Sequence, residues 1–387
     1  MTSFVKNSPM HFLDELNESQ RKAAEHLYGA TMVIAGAGSG KTRVLTYRIA
    51  HLINKGVDSF SILALTFTNK AAGEMKERVA ELVGPVAKSM WVSTFHSACV
   101  RILRQEATRL GYSNSFSIYD SADSQRLITI VSKELNLDPK RYPARQFQSM
   151  ISNAKNELLG PQDYLNAASS QFEQVVGDVY AVYQQRLIRA NAMDFDDLIL
   201  KTVEVLQRYP EAKGRFRSRF RHVLVDEYQD TNHAQYILEK ELVGSELEGQ
   251  APAELCVVGD ADQSIYGFRG ATIRNILQFE LDYPNARTVL LEQNYRSTKN
   301  ILKCASKLIQ KNKGRYGKDL WSGNEEGEKI FINGFWQTKD EAIFVSHEIE
   351  KLLSDKTPLK EISLLFRVAA HTRSFEDRFI NLGLPYK

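Results

Sequence analysis

The sequence has few cysteines and no long apolar run, and both absences narrow the class of protein to which it can belong. Cys99, Cys256 and Cys304 are isolated and none belongs to a C-x-x-C pair, so neither a disulfide framework nor a zinc or iron–sulfur site is predicted. No run of about 18 apolar residues occurs, and the N-terminus has no apolar signal segment. We therefore predict a soluble, cytoplasmic protein without a membrane partner.

A large excess of one charge is also missing, since 50 basic and 47 acidic residues give a net charge of +3. This balance neither proves nor excludes nucleic-acid binding, because binding needs only a local basic track. The hydrophobic content of 43% and charged content of 25% argue against disorder, a collagen-like chain or a coiled coil. A length of 387 residues predicts two or three domains.

Short β-rich runs, each followed by a helical pattern, recur in residues 1–115, for example TMVIA followed by KTRVLTYRIAHLI. This alternation predicts βαβ units and a doubly wound parallel α/β sheet. From about residue 120 to 193 the chain reads as helices only, which predicts an inserted helical subdomain over residues 116–193. The alternation returns in residues 194–283, and a second α/β unit is expected in residues 284–387, with TVLLEQ, KIFINGF and ISLLFR as its strands. So few strands predict that this last unit is incomplete.

The stretch VIAGAGSGKT, residues 33–42, is poor material for a core, because glycine adds no buried area and costs conformational entropy. It fits a P-loop, in which backbone N–H groups and a helix N-terminus hold phosphates. Lys41 would supply a charge and Thr42 a hydroxyl for Mg²⁺, although the pattern's first glycine is here Ala35. The alternative is a simple glycine-rich turn. The predicted nucleotide-binding loop consists of Ala35, Gly36, Ala37, Gly38, Ser39, Gly40, Lys41 and Thr42.

An acidic pair ends a second apolar strand in HVLVDEYQDT. Asp226 is predicted to bind Mg²⁺ together with Thr42, and Glu227 is the candidate base that activates water. Taken alone, such a pair is equally well explained as a solvated turn. Its occurrence after a P-loop favours the catalytic interpretation.

Several motifs occur in the order found in UvrD/Rep/PcrA-like superfamily 1 DNA helicases. They are AGAGSGKT, LALTFTNKAAGEM, VSTFHS, DFDDLI, VLVDEYQDT, VVGDADQSIYGFRGA and LEQNYRS, and the N-terminal LNESQRKAA resembles that family's Q motif. The resemblance is dense over residues 16–298 and weaker beyond. It implies a RecA-like first domain in two parts and part of a second RecA-like domain.

The resemblance also implies roles at an ATP site. Gln20 would read the adenine edge, and Arg43 and Tyr295 would flank the adenine ring. Gln263 would contact the γ-phosphate or the attacking water. Arg296 would act as an arginine finger, and because it lies beyond the predicted first domain, it requires two domains to close. The alternatives are an exposed helix glutamine for Gln20, a half-buried core residue for Tyr295 and a surface residue for Arg296.

For DNA, the resemblance points to aromatic side chains that stack on bases and polar ones that position phosphates. The expected stacking residues are Phe67, His96, Tyr266 and Phe268, although the family most often has tryptophan at the last position. Core packing is the alternative for all four. The expected phosphate contacts are Thr66, Asn69, Thr94 and Arg269.

Two basic stretches each have two possible interpretations. RFRSRFRH, residues 215–222, is better explained as an amphipathic helix with a solvated face than as a nucleic-acid contact. KNKGRYGK, residues 311–318, is slightly better explained as a surface loop than as a phosphate contact.

Together these features predict an ATP-dependent DNA helicase and translocase that uses Mg-ATP to move on single-stranded DNA and to separate strands at single-strand/duplex junctions, in DNA repair or replication. The family implies 3′ to 5′ movement. Two rivals stay open: a P-loop ATPase switch that does not translocate, and a nucleotide- and DNA-binding module without turnover. Because the family carries further motifs that this sequence does not reach, we expect a truncated and weakly active fragment.

Overall fold

The computed structural model describes residues 11–245, 251–267, 270–271, 274–312 and 317–387. The chain forms two compact units, Met1–Gly327 and Glu328–Lys387. Across the described residues, no helix combines the length and apolar character that crossing a membrane requires.

A six-stranded, fully parallel sheet forms the centre of the first unit. Its strands are β1 (Thr31–Ala35), β2 (Ile62–Thr66), β3 (Trp91–Thr94), β6 (His222–Val225), β7 (Glu254–Gly259) and β8 (Arg287–Leu291). They lie in the order β3-β2-β6-β7-β1-β8. This sheet confirms the predicted α/β fold.

Helices cover both faces of this sheet because the strand residues that face each side are apolar. On one side α1 (Glu18–Glu25), α2 (Lys41–Asn54) and α3 (Asn69–Val83) pack on alternate strand residues such as Val33 and Ala64. The other side is covered by α4 (Phe95–Glu106), α9 (Phe195–Arg208), α10 (Pro210–Arg219), α11 (His233–Val243) and α12 (Arg274–Asp282). The sheet is therefore doubly wound, with helices on both of its faces.

The helices between β3 and β6 that lie away from the sheet have a core of their own, and the bounds 116–193 of the inserted subdomain stay a prediction. These helices are α5 (Ser121–Glu134), α6 (Ala144–Asn156), α7 (Pro161–Ala167) and α8 (Gln171–Arg189), packed around residues such as Phe147 and Tyr180. The expectation of helices only, made for about residues 120–193, missed a strand at the end of that stretch, and another strand lies just before it. These strands, β4 (Ser117–Tyr119) and β5 (Ala192–Asp194), form a two-stranded parallel pair, which closes the insertion where it leaves and rejoins the sheet domain.

The strand predicted from TVLLEQ lies elsewhere than expected. It forms β8, and β8 pairs in parallel with β1, from Thr31 opposite Arg287 to Ala35 opposite Leu291. It thus belongs to the first sheet and not to a second one. After it come β9 (Gln293–Asn294), α13 (Lys299–Ile309) and β10 (Trp321–Ser322), with β9 and β10 paired in parallel.

The second unit consists mainly of α14 (Thr338–Ser354) and α15 (Arg373–Leu382), which pack through Ala342, Ile349, Phe375 and Phe379. Residues 329–335 and 362–367, predicted as strands, contain no strand. A strand needs hydrogen-bonding partners on a neighbouring strand. The assignment of residues 284–387 to a second RecA-like domain stays a prediction.

Candidate functional site

The predicted catalytic residues lie at one edge of the parallel sheet. Strand β1 runs into the P-loop, β6 ends before Asp226, and β7 ends before Asp260. Register places Ile34 opposite Gly259 and Val225 opposite Val257. Because all three strands are parallel, their carboxyl ends meet at the edge where ligands bind in open α/β sheets.

Two glycines of the P-loop have backbone conformations that disfavour any residue with a side chain. Gly38 has φ +68° and Gly40 has φ +88°, both in the left-handed region. A Cβ at Gly38 would lie 2.7 Å from Arg296 Cβ, and one at Gly40 would lie 2.7 Å from Gln20 Nε2. The glycine-rich composition is therefore required by both backbone geometry and close packing.

Carbonyl oxygens of the loop are engaged by donors from the loop itself and from other segments. The carbonyl of Ala37 accepts from Asn294 Nδ2 at 2.6 Å, and that of Gly38 accepts from the Tyr295 N–H at 2.9 Å. Gln20 Nε2 donates to the Ser39 carbonyl at 2.8 Å. With its carbonyls bonded in this way, the loop has N–H groups to offer to an anion, together with the N-terminus of α2.

Lys41 contacts two other predicted catalytic residues, Glu227 and Gln263. Its Nζ lies 2.9 Å from Glu227 Oε2 and donates to Gln263 Oε1 at 3.2 Å. Its side chain is only 10% exposed. A buried ammonium group at a helix N-terminus favours an anion nearby, and here the anion is the carboxylate of Glu227.

Asp226 is a buried carboxylate beside Thr42. Burial, and then the charge of Glu227, raise the pKa of Asp226 to about 6, while the Glu227 N–H, Lys41 and the Thr42 hydroxyl oppose this rise. A divalent cation would relieve the cost of burying this carboxylate. The described residues contain no cluster of three or more metal-ligating side chains. The Asp226 and Thr42 pair nevertheless fits Mg²⁺, which in nucleotide sites takes one or two protein ligands plus phosphate and water.

Glu227 has a strained backbone that the neighbouring side chains support. Its φ is +49°, in the left-handed region, which is uncommon for a residue with a side chain. Gln229 Nε2 donates to Glu227 Oε2 at 2.9 Å. The next residue, Tyr228, is buried and its hydroxyl donates to Glu239 Oε2 at 2.8 Å. Backbone strain of this kind is common at functional sites.

The three residues expected to contact adenine surround the outer side of the P-loop. Gln20 is buried, and its amide bonds the Ser39 carbonyl and the Asn17 N–H. The Tyr295 side chain is 48% exposed, and its hydroxyl accepts from Asn17 Nδ2 at 2.7 Å. Arg43 donates to Glu15 Oε2 at 3.2 Å. Their roles toward adenine stay predictions.

Arg296 is closer to the P-loop than the sequence indicates. It is exposed and follows β9, and its Cβ lies against Gly38 within the first unit. The requirement that two domains close around the nucleotide stays a prediction. The finger role itself stays a prediction.

A cavity of about 610 Å³ at the same sheet edge brings together five of the residues predicted to bind DNA. They are Thr66, Phe67, Asn69, Thr94 and His96. The remaining wall comes from α6, α9 and the segment after Glu227. The groove is thus formed jointly by the sheet domain and the helical insertion.

Aromatic rings form two pairs around this groove. Phe67 and Tyr266 have ring centroids 4.9 Å apart, and His96 stacks on Phe195 at 3.9 Å. Phe195 is 55% exposed. Burial lowers the pKa of His96 to about 4, so the imidazole is neutral at pH 7 and acts as a flat ring instead of a cation.

The polar residues predicted to contact DNA phosphates differ in whether their side chains already form hydrogen bonds within the protein. The Thr94 hydroxyl caps α4 by accepting from the Ser97 N–H at 3.2 Å, and the Thr66 hydroxyl donates to the Thr68 carbonyl at 3.1 Å. Asn69 is exposed at the start of α3. Phe268 and Arg269 lie outside the described residues. The DNA roles of all these residues stay predictions.

Four residues at these sites were not singled out from the sequence. Asn294 holds the P-loop, Phe195 lines the groove, and Asp260 and Lys318 form a buried ion pair beside Gln263. Asn294 lies in the motif LEQNYRS and Phe195 in the motif DFDDLI, both recognised from the sequence. Membership of these motifs was the signal that could have identified the two residues. For the pairing of Asp260 with Lys318, 58 residues away, the sequence offers no signal.

Residues 215–219 of the stretch RFRSRFRH form the end of α10, as the helix interpretation predicted, and residues 220–222 lead into the start of β6. Phe216 and Phe220 are buried, and Arg217 Nε donates to the Glu241 carbonyl at 2.7 Å. These contacts make the stretch part of the fold and place two of its rings in the core.

A parallel sheet with a P-loop after its first strand and an acidic pair after a neighbouring one defines a P-loop nucleotide-binding domain with a RecA-like fold. The UvrD/REP helicase N-terminal domain family matches residues 16–284, and the UvrD-like helicase C-terminal domain family matches residues 289–387. The chain therefore belongs to the UvrD/REP helicase family, which confirms the resemblance seen in its motifs.

Individual relatives are similar along nearly the whole chain. ATP-dependent DNA helicase UvrD1 of Mycobacterium tuberculosis is 53% identical over 382 residues, covering 97% of this chain and 50% of the relative. ATP-dependent DNA helicase PcrA of Bacillus subtilis is 48% identical over 376 residues, with the same coverage. The chain thus spans about half the length of the curated relatives it matches.

Proposed function

We propose that this chain binds Mg-ATP at the P-loop and uses ATP hydrolysis to move along single-stranded DNA, as part of an ATP-dependent DNA helicase. The observation that carries this proposal is the contact of Lys41 with both Glu227 and Gln263 at one edge of the sheet. A glycine-rich turn or a solvated acidic pair would not require these three side chains to converge. The names of the UvrD1 and PcrA relatives support the same activity.

At the phosphate end, Lys41 exchanges its contact with Glu227 for phosphate oxygens when nucleotide binds. The freed Glu227 carboxylate then accepts a proton from the attacking water. Gln263 contacts the γ-phosphate or that water, and Arg296, beside Gly38, neutralises charge that develops in the transition state. Mg²⁺, held by Asp226 and Thr42, would supply charge neutralisation at the phosphates.

At the base end, adenine fits between the exposed parts of Arg43 and Tyr295. Both side chains suit stacking on a flat ring. Gln20 has an amide that can both donate to and accept from an adenine edge. In this structure that amide bonds the P-loop carbonyl of Ser39, so reading adenine requires it to exchange at least one partner.

On the DNA side, single-stranded DNA binds in the groove that contains the ring pairs Phe67–Tyr266 and His96–Phe195. Stacking on exposed rings does not depend on base identity, which suits a motor that moves along any sequence. The neutral state of His96 fits stacking better than phosphate binding. Asn69 is exposed and can position a phosphate at the rim, whereas Thr66 and Thr94, whose hydroxyls bond within the protein, would have to exchange a partner to do so.

The finer features of the activity follow from the family and stay part of the proposal. They are 3′ to 5′ movement, preference for single-strand/duplex junctions, a role in repair or replication, and location in the cytoplasm or nucleoid. Because the chain spans half of its relatives, we also propose that its turnover is low when it acts alone.

The proposal is tested by measuring Mg-dependent binding and hydrolysis of ATP by the 387-residue chain, with and without single-stranded oligonucleotide. Lys41→Ala removes the charge at the phosphates, so we expect nucleotide binding to be lost. Lys307→Ala, a change of an exposed lysine on α13, is the matched control and should behave as the wild type.

Three results are informative. Nucleotide binding that survives Lys41→Ala would contradict the P-loop assignment. Binding of both ATP and DNA without any turnover would favour the rival of a binding module. Hydrolysis that DNA does not stimulate would favour an ATPase switch that does not translocate.

A further inference from the structure

Lys318 is buried, although the sequence places it at the end of a basic, glycine-bearing loop. Its side chain is 2% exposed, and its Nζ forms an ion pair with Asp260 and lies 3.3 Å from Asp262 Oδ2. The surface-loop interpretation of KNKGRYGK was therefore wrong for this residue. The four residues 313–316 of that stretch lie outside the described part of the chain.

Asp260 has a carboxylate that needs a cation. The residue is 1% exposed, and burying an unpaired carboxylate is costly. Its Oδ1 accepts from the Asp262 N–H at 3.0 Å and from Lys318, and its Oδ2 accepts from Gln263 Nε2. Lys318 thus neutralises the carboxylate that accepts the hydrogen bond from the Gln263 amide.

These bonds determine which way the Gln263 amide points. A carboxylate can only accept, so the –NH₂ group of Gln263 must face Asp260. The amide oxygen must then face away, and it accepts from Lys41 Nζ at 3.2 Å. Lys318, Asp260, Gln263 and Lys41 therefore form one continuous chain of polar contacts that ends at the P-loop lysine.

Lys318 also belongs to the segment that holds the other side of the P-loop. It lies just before β10, which pairs with β9, and β9 contains Asn294, whose side chain bonds the Ala37 carbonyl. Arg296 lies two residues after Asn294, and its N–H donates to Asn294 Oδ1 at 3.0 Å. A shift of the Gln263 amide would therefore displace Asp260 and Lys318, and through the pairing of β10 with β9 it would move the segment that bears Arg296.

We propose that Lys318 is a positioning residue for recognition of the terminal phosphate: through Asp260 it orients Gln263 and links that orientation to the Arg296 segment. The inference rests on the proposed function, because it concerns the same nucleotide site. It assigns to Lys318 the discrimination of a nucleoside triphosphate from a diphosphate. Lys41 and the loop, in contrast, bind the phosphates that both nucleotides share.

The test is the affinity of the 387-residue chain for the fluorescent nucleotides mant-ATP and mant-ADP in the presence of Mg²⁺. Lys318→Met should weaken mant-ATP binding by about tenfold, which corresponds to one lost charge-assisted contact, and leave mant-ADP binding nearly unchanged. Lys318→Arg keeps the charge and should retain most of the preference. Lys307→Met, on exposed α13, is the control and should bind both nucleotides as the wild type does.

A second variant separates positioning from a loss of folding. Lys318→Met leaves Asp260 buried without its cation, so the double variant Lys318→Met/Asp260→Leu, which removes both charges, is measured beside it. A melting temperature equal to that of the wild type shows that the double variant is folded. The proposal then requires that the double variant, like Lys318→Met, has lost the preference for mant-ATP over mant-ADP. A folded double variant with the wild-type preference would overturn the inference, as would an equal loss of both nucleotides in the Lys318→Met protein.

The same measurements distinguish this inference from the proposed function. A wild-type chain that binds neither nucleotide contradicts both. A wild-type chain that binds both nucleotides, loses them in Lys41→Ala and keeps its preference in Lys318→Met contradicts only the role of Lys318.

Discussion

Replacing the buried Glu239 by glutamine should stabilise the first unit at neutral pH and have little effect at pH 5. Glu239 lies on α11, is 1% exposed, and accepts hydrogen bonds from the hydroxyls of Tyr228 at 2.8 Å and Tyr283 at 3.1 Å. Burial raises the pKa of Glu239 to about 7, although both tyrosine hydroxyls and the charge of Lys240 oppose this rise. The charged form of this buried carboxyl group therefore destabilises the folded state.

The sign of the effect follows from proton binding. Because the folded-state pKa is above the unfolded value, the native state binds the proton more tightly, and stability falls as pH rises between the two pKa values. Raising a pKa from 4.5 to about 7 corresponds to about 3 kcal/mol at most, since one pH unit is worth about 1.4 kcal/mol. This cost is absent below pH 4.5 and complete above about pH 7.

Glutamine has nearly the shape of the protonated carboxyl group and does not titrate, so it should remove the cost. The measurement is the free energy of unfolding in urea from pH 5 to 8, followed by the fluorescence of Trp91, which is buried in the first unit. The difference between Glu239→Gln and the wild type should grow with pH by up to about 3 kcal/mol. Glu81→Gln, at an exposed position on α3, is the control and should show no such trend. Parallel curves for Glu239→Gln and the wild type would refute the reasoning.

Three further predictions concern the proposed activity. Glu227→Gln should bind ATP normally while hydrolysis collapses, because the amide cannot accept a proton from water; near-normal turnover would remove Glu227 from that role. Tyr266→Ala should weaken single-strand binding by about 1 to 3 kcal/mol with an unchanged salt dependence, since stacking releases few counterions; a changed slope of affinity against salt would point to a phosphate contact. Arg296→Ala should lower kcat by about 10³ and change ATP affinity much less, and an unaffected kcat in a steady-state assay would make Arg296 a surface residue.

Short-range features of the site were readable in the sequence. The P-loop and the acidic pair at Asp226 and Glu227 are local, because each depends on a strand, the turn after it and the start of a helix. The parallel sheet followed from the same alternation of strand and helix. The location of Lys41, Asp226 and Gln263 at one sheet edge was predictable once the strands were known to be parallel, since their carboxyl ends must coincide.

Long-range pairing was decided by the tertiary structure. Nothing local distinguishes a strand at the edge of the first sheet from one in a second sheet, so β8 was expected in the wrong sheet. The segments 329–335 and 362–367 have strand-like sequences and form no strand, because strand formation depends on a neighbour that supplies hydrogen bonds. The burial of Lys318 against Asp260 likewise depends on the path of the chain over 58 residues, and only folding brings a lysine from a basic stretch to a carboxylate that cannot be buried alone.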